Sequence, residues 1–204
     1  VNRDIFLRTL CLVAVTFMFT SRGARQGDTV LAVNTLLMQL FTLFSYVMDG
    51  FAYAGEALTG RYAGARDLRQ LREAAGALFR WGAWTAAAFT CLYAAGGEGF
   101  LRLLTSEEEV VAAAGEYFWW AVGIPAAGFA AFLWDGILVG ATATGRMLAS
   151  MALATAVFFA VYLAGGEGNN HALWGAFLAY LFTRGAAQSA LGRRGLSAGW
   201  LSRH

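Results

Sequence analysis

Apolar residues are gathered into runs that recur about every thirty residues, each close to the roughly twenty that a helix needs to cross a bilayer. In chain order they predict spans over residues 5–20, 30–57, 74–95, 110–142, 147–163 and 172–190, which make up one lobe over 1–194, and a polar tail over 195–204. The second run is unlike the others. Between residues 29 and 60 a largely polar face keeps returning: Thr35, Met38, Thr42, Ser45, Asp49, Tyr53 and Glu56 are spaced by three or four and so lie together on the helix. Leu37, Phe44, Phe51 and Leu58 run along the opposite face. The pattern predicts a helix whose oily ridge meets lipid and whose polar stripe, ending in two carboxylates, meets a cavity or other helices.

The segments between the runs are read from their turn residues. SRGARQGD over residues 21–28 predicts a short exposed turn, and GGEGNNH over 165–171 another. The arginine-rich stretch RYAGARDLRQLREAAGALFR predicts an interfacial helix leading into the third span, with Arg80 snorkelling to the surface. Gly96, Gly97 and Gly99 are expected to end that span. Ser106 before Glu107, Glu108 and Glu109 predicts a capped helix start with acids at the positive end of the macrodipole. Pro125, the single proline, predicts a break in the fourth helix, because it removes one ladder hydrogen bond.

Composition narrows the class. With 58% hydrophobic and 14% charged residues and a mean hydropathy of +0.53, the chain falls with polytopic membrane proteins. The net charge of +2 is carried by arginine alone and points to no nucleic-acid partner. Its distribution says more than its sum. Arg22, Arg25 and Arg102 fall on one side of six spans, and every other arginine falls on the side of the termini, which predicts cytoplasmic termini. Asp28, Glu98, Glu107, Glu108, Glu109 and Glu167 fall on the opposite side. Cys11 and Cys91 stand in separate apolar runs without His or Asp at ligand spacing, so they are expected to be small buried hydrophobes, not a disulfide or a metal site. Val1 is followed by no basic n-region and cleavage site, so the first run is not a signal peptide and the start reads as cut from a longer chain.

No phosphate-binding glycine loop and no nucleophile beside a base is present, and His171 and His204 lie in polar segments, so neither an enzyme nor a cofactor is expected. The candidates are charges inside the spans. Asp135 reads either as a proton-titrating or cation-binding carboxylate, or as a structural one paired with arginine or with amides freed near Pro125. Asp49 invites the same pair of readings. Glu56, near the cytoplasmic end, reads as an interface residue or a partner of Arg61, and Arg8 as a snorkelling anchor or a ligand. Glu116, just before Trp119 and Trp120, fits an aromatic belt. Gly123, Ala127, Gly128 and Ala131 suggest close helix packing. Phe118, Trp119, Trp120, Phe129, Phe132 and Trp134 are expected mostly to face lipid, although a pocket for oily cations would use the same side chains.

Three stretches carry a family likeness: NRDIFLRTLCL, then GDTVLAVNTLLMQLFTLFSYVMDGFAYAGEALTGRYAGARD, then IPAAGFAAFLWDGILVGATATGRM. Together they resemble the second half of a multidrug and toxic compound extrusion (MATE) transporter of the DinF-like branch, from Asn2 to about Arg194. The resemblance implies a twelve-helix antiporter of two six-helix lobes related by pseudo-twofold symmetry, with this chain equivalent to helices seven to twelve. Such proteins sit in the bacterial inner membrane and expel organic, often cationic, compounds by alternating access, driven by H⁺ or Na⁺ and with no cofactor. Asp135 matches the tenth-helix acid implicated in coupling in some members, and Arg8 falls in the seventh helix, whose charged residue is implicated in the DinF-like branch. The first lobe, with its first-helix aspartate, would be the partner of this one.

The sequence therefore predicts an all-α polytopic membrane protein with a six-helix bundle. Asp135 and Asp49 would couple to the cation, Arg8, Thr42, Ser45, Tyr53 and Glu56 would line the cavity, and Pro125 would be the hinge. Replacing Asp135 with Asn in the complete protein is expected to abolish resistance to a cationic dye with expression intact. The rival expectations are a non-transporting membrane scaffold or gene remnant, and a homodimeric half-size carrier.

Overall fold

In the computed structural model, which describes residues 2–166 and 168–195, six helices follow one another with short turns. They are α1 (Asn2–Ala24), α2 (Asp28–Gly64), α3 (Leu68–Leu104), α4 (Glu108–Gly140), α5 (Thr144–Ala164) and α6 (Asn170–Arg194). Glu167, Arg203 and His204, which the sequence reading placed in turn and tail, lie outside the described residues. By length and composition α1, α2, α4 and α5 can each cross a membrane. The apolar part of α3 is diluted by glycine and by Arg80, Thr85, Thr90 and Glu98, while α6 carries Arg184 and Gln188 in its buried face. A helix shielded by its neighbours can hold such groups where a lipid-exposed one cannot.

α4 is the central element. Its buried residues run from Val110 to Leu138, and it packs against α2, α3 and α6. The closest approach is to α2, where backbone meets backbone. A β-carbon added at Gly136 would lie 2.0 Å from the carbonyl oxygen of Ala52, and one at Gly140 would lie 2.4 Å from that of Glu56. This is small-residue packing at an interval of four, as in membrane helix pairs where lipid and side chains are equally apolar and only close fit distinguishes them. The stretch singled out from sequence is looser and faces α6: Gly123 lies against Leu178, and Gly128 against Leu181. An aromatic chain fills the bundle, with Phe44 edge-on to both Phe89 and Phe132 and Phe177 edge-on to Phe41 and Trp174. At the end away from the termini, Asn34 and Asn170 exchange amide hydrogen bonds of 2.8 and 2.9 Å, and the indole of Trp174 donates to the same Asn34 oxygen at 2.9 Å.

Several local expectations change. α2 runs on to Gly64 and α3 starts directly at Leu68, so there is no separate interfacial helix. At about 1.5 Å per residue each of these 37-residue helices is about 55 Å long, well beyond the hydrocarbon core, and must tilt or project into water. The glycines do not end α3. Gly97, with φ 45 and ψ −130, kinks the helix and it continues to Leu104. α4 remains helical through Pro125, so the break expected there is absent. Its N-cap is Glu107, not Ser106, although Glu108 and Glu109 do occupy the first turn. Cys91 is exposed and Cys11 half-buried, because a membrane helix gains nothing by hiding a small apolar side chain from lipid.

α2 and α4 end in the same way. The Arg66 amide donates to Ala63 and the Asp67 amide to Tyr62, and the Thr142 amide donates to Val139 and the Ala143 amide to Leu138, at 2.8–3.1 Å. This paired arrangement puts one residue in the left-handed region, here Arg66 (φ 57) and Thr142 (φ 53), where glycine is usual. For a β-branched residue the conformation is strained. Thr142→Gly should therefore raise stability by about 1 kcal/mol. Thermal unfolding of the purified protein checks this, and an unchanged midpoint would mean that no strain is held there.

Candidate functional site

α2 carries the predicted stripe, but its two faces are reversed with respect to the bundle. Leu37 and Phe44, expected on the lipid side, are fully buried against the other helices. Thr35, Thr42, Tyr53 and Glu56 point away from the bundle, with Ser45 and Asp49 half-buried along the same edge. In a membrane an oily ridge carries no information about direction, since lipid and protein interior are equally apolar. The polar stripe is then the surface that must meet something other than lipid. The hydroxyls of Thr35, Thr42 and Ser45 donate back to Leu31, Met38 and Thr42 at 2.8–2.9 Å, so each keeps an acceptor oxygen facing outward. Beside Thr42, a groove of about 350 Å³ runs between α2 and α3, with Gln39, Tyr46, Phe100 and Leu103 among its walls. Glu56 does not pair with Arg61, whose guanidinium lies over the Tyr62 ring.

Behind this edge lies a charged cluster. Asp135 of α4 accepts at Oδ2 from Arg8 of α1 and from Arg184 of α6, and at Oδ1 from the Gln188 amide at 2.6 Å. Gln188 is one turn beyond Arg184, so a single face of α6 delivers both donors. The Arg184 guanidinium also lies 5.9 Å from the centroid of the Phe132 ring. Arg8 is thus not a snorkelling anchor: its side chain is turned inward, 21% exposed, onto the carboxylate. The structural reading of Asp135 holds in that it is paired with arginine, though not with amides near Pro125. Two guanidinium groups meet one carboxylate here, which leaves one net positive charge. Asp49 is within electrostatic reach of Asp135, Arg184 and Arg8, yet no side chain among the described residues hydrogen-bonds its carboxylate. No group of three His, Cys, Asp or Glu side chains that could hold a metal occurs among the described residues.

Arg184 and Gln188 were not singled out from sequence. The available signal was a strongly polar pair at i and i+4 within LFTRGAAQ, apolar on both sides, which predicts an inward face. The aromatic set also departs from expectation. Phe118, Phe132 and Trp134 are buried and Trp119 alone is strongly exposed. Glu116 is exposed, as a belt residue should be, but it also contacts His171 Nε2 at 3.2 Å, and the Trp120 indole donates to His171 Nδ1 at 3.1 Å. Pro125 is buried within unbroken helix.

An outward polar edge, a buried arginine–carboxylate cluster and a close-packed α2–α4 pair together describe a membrane bundle with an apolar core and one charged cluster inside it. The sequence matches the MatE family over residues 5–164. This chain belongs to that family. It is 41% identical over 193 residues to the DNA damage-inducible protein F of Escherichia coli (strain K12), covering 95% of this chain and 42% of that protein. It is also 25% identical over 155 residues to Protein DETOXIFICATION 42 of Arabidopsis thaliana, covering 74% of this chain and 30% of that protein. The chain therefore spans less than half the length of these MatE relatives.

Proposed function

We propose that this chain is the second lobe of a proton-driven MATE antiporter that exports organic cations, with the outward edge of α2 forming one wall of the transport cavity. The observation that carries the reading is the reversal of α2: a long membrane helix turns its ridge inward, presents Thr42, Tyr53 and Glu56 away from its own bundle and leaves Asp49 half-buried at the edge. In a longer protein the first lobe would face that edge, and the space between would be the cavity. The bilayer would be the bacterial inner membrane, with the termini of this lobe cytoplasmic.

Within this reading the two aspartates divide the work. Neutralising Asp135 would place a proton on an oxygen that already receives an N–H donor and remove the carboxylate that both guanidinium groups bind directly. Adding a proton to Asp49 breaks no bond among the described residues, so Asp49 is the better proton acceptor. With Asp49 ionised, the cluster of Arg8, Arg184, Asp135 and Asp49 is neutral, and the Asp49 carboxylate can hold a cation at the cavity edge. With Asp49 protonated, the same cluster is positive by one charge and repels it. Proton entry and cation release are then the same electrostatic event, and the helix repacking that follows is the bistable step of alternating access. A sodium ion at Asp135 fits less well, because both carboxylate oxygens already receive N–H donors. Pro125 could still serve as the hinge, since it lies in α4 one residue after fully buried Ile124 and ten before Asp135.

The test uses the complete transporter in liposomes. An imposed proton gradient should drive counter-movement of a cationic dye, and Asp49→Asn should remove the response to the gradient while leaving the folded yield unchanged. Proton-driven exchange at the unmodified rate in Asp49→Asn, or dye movement driven by sodium alone, would overturn the assignment.

A further inference from the structure

The kink at Gly97 builds one wall of the groove beside Thr42. Past it, α3 continues to Leu104 and lays Phe100 and Leu103, spaced i and i+3, opposite Leu43 and Tyr46 of α2 across the space of about 350 Å³. That wall is fixed. The Phe100 ring lies edge-on to the ring of buried Tyr93 at 5.7 Å, the Tyr93 hydroxyl donates to the Leu40 carbonyl at 2.7 Å, and a β-carbon at Gly96 would stand 2.2 Å from the Phe100 ring. The groove itself is open, with Leu103 81% and Tyr46 71% exposed.

Gln39 and Leu104 line both this groove and a second space of about 400 Å³ at the end of the bundle away from the termini, so the two are continuous. The second space is walled by Asp28, in the first turn of α2, and by Glu107, the N-cap of α4. Neither carboxylate is in an ion pair among the described residues. Arg102, the nearest arginine on α3, is turned instead to Glu98 at 3.7 Å and Glu108 at 2.5 Å. A helix N-terminus carries about half a positive charge, so two acids at two such ends leave about one net negative charge.

We propose that the groove and the acidic space form one subsite for a monovalent amphiphilic cation, with its apolar body between Tyr46 and Phe100 and its charge toward Asp28 and Glu107. The subsite rests on the organic-cation export proposed for this lobe and serves its outward end. Asp28 lies 21 residues from Asp49, about 30 Å along the helix, so a cation leaving Asp49 meets a second, separate pair of acids. Apolar walls with a charge of one sign at the open end match a ligand that is oily in its body and cationic at its head. A phospholipid would bring its phosphate against two unpaired carboxylates, and an inorganic cation would gain nothing from the walls.

The test is equilibrium dialysis of the complete protein and of Asp49→Asn in neutral detergent against labelled (4-phenylbutyl)trimethylammonium. Tetramethylammonium supplies the head alone and 4-phenylbutanol the body alone. The full probe should bind saturably in both proteins, and each half should bind on the order of tenfold more weakly or worse. Asp28→Asn with Glu107→Gln, at two exposed positions, should raise the Kd of the probe on the order of tenfold. Phe100→Ala should raise it as well, and Leu103→Arg, on the most exposed part of the wall, should do the same if Phe100→Ala does not fold. Unchanged affinity in the acid variant or in the wall variant, or binding of either half as tight as that of the whole, would overturn the proposal. Because binding is read with Asp49 replaced, failure here leaves proton-driven exchange at Asp49 as it was.

Discussion

Asp135→Asn should lower the stability of the protein by about 3–5 kcal/mol, because it removes the carboxylate that two inward-facing guanidinium groups both bind. Most of that loss is the penalty of stranding Arg184, whose side chain is 6% exposed, and not the net worth of the ion pair. The double variant Asp135→Asn with Arg184→Gln should therefore recover most of the folded yield. Arg8, at 21% exposure and near the start of α1, retains a route to water. Yield and unfolding midpoint in detergent measure both variants. A single variant as stable as the parent would show that the cluster does not hold the bundle together. This revises the expectation that Asp135→Asn would silence transport with expression intact, and it makes the double variant the proper one in which to ask about transport.

The second large effect is expected at Gly136. Gly136→Ala should cost more than about 3 kcal/mol, at the upper end for overpacking. Its new carbon would overlap the Ala52 carbonyl oxygen at 2.0 Å, and that oxygen belongs to helical backbone that cannot rotate away. Gly115→Ala provides the control on the same helix. Nothing lies within 4 Å of the added carbon there, so the ordinary helix preference should give a gain of about 0.5–1 kcal/mol. Unfolding midpoints that move the same way in the two variants would show that the α2–α4 contact is looser than its geometry.

What could be read from the sequence divides along physical lines. Helix number, the residues sharing the α2 stripe and the weight placed on Asp135 follow from periodicity and from the cost of charge in an apolar segment, and both are local properties. The direction of the stripe relative to the bundle is not local. In water an apolar ridge points inward, but in lipid it has no preferred side, so the pattern alone does not place Leu37 and Phe44 inside, where they lie. The partners of Asp135 come from 127 residues before it and 49 after, a pairing that no spacing rule supplies. The bend also fell elsewhere. Pro125 is accommodated within helix, and Gly97, one of three glycines read as a terminus, takes the unusual backbone angles.

The ion cluster also constrains how the protein can be made. Arg8 leaves the ribosome 127 residues ahead of its carboxylate, and Arg184 follows 49 residues later still. A chain is synthesised from its N-terminus, and an arginine within an apolar segment is costly until it has a partner, less so near a helix end. α1 is also the helix with the least buried surface, with only Val15, Phe19 and Gly23 inside the bundle. It can settle fully into the lobe only after α4 has been delivered, and Arg184 completes the lock when α6 arrives, so the earliest helix of these six is among the last to be fastened.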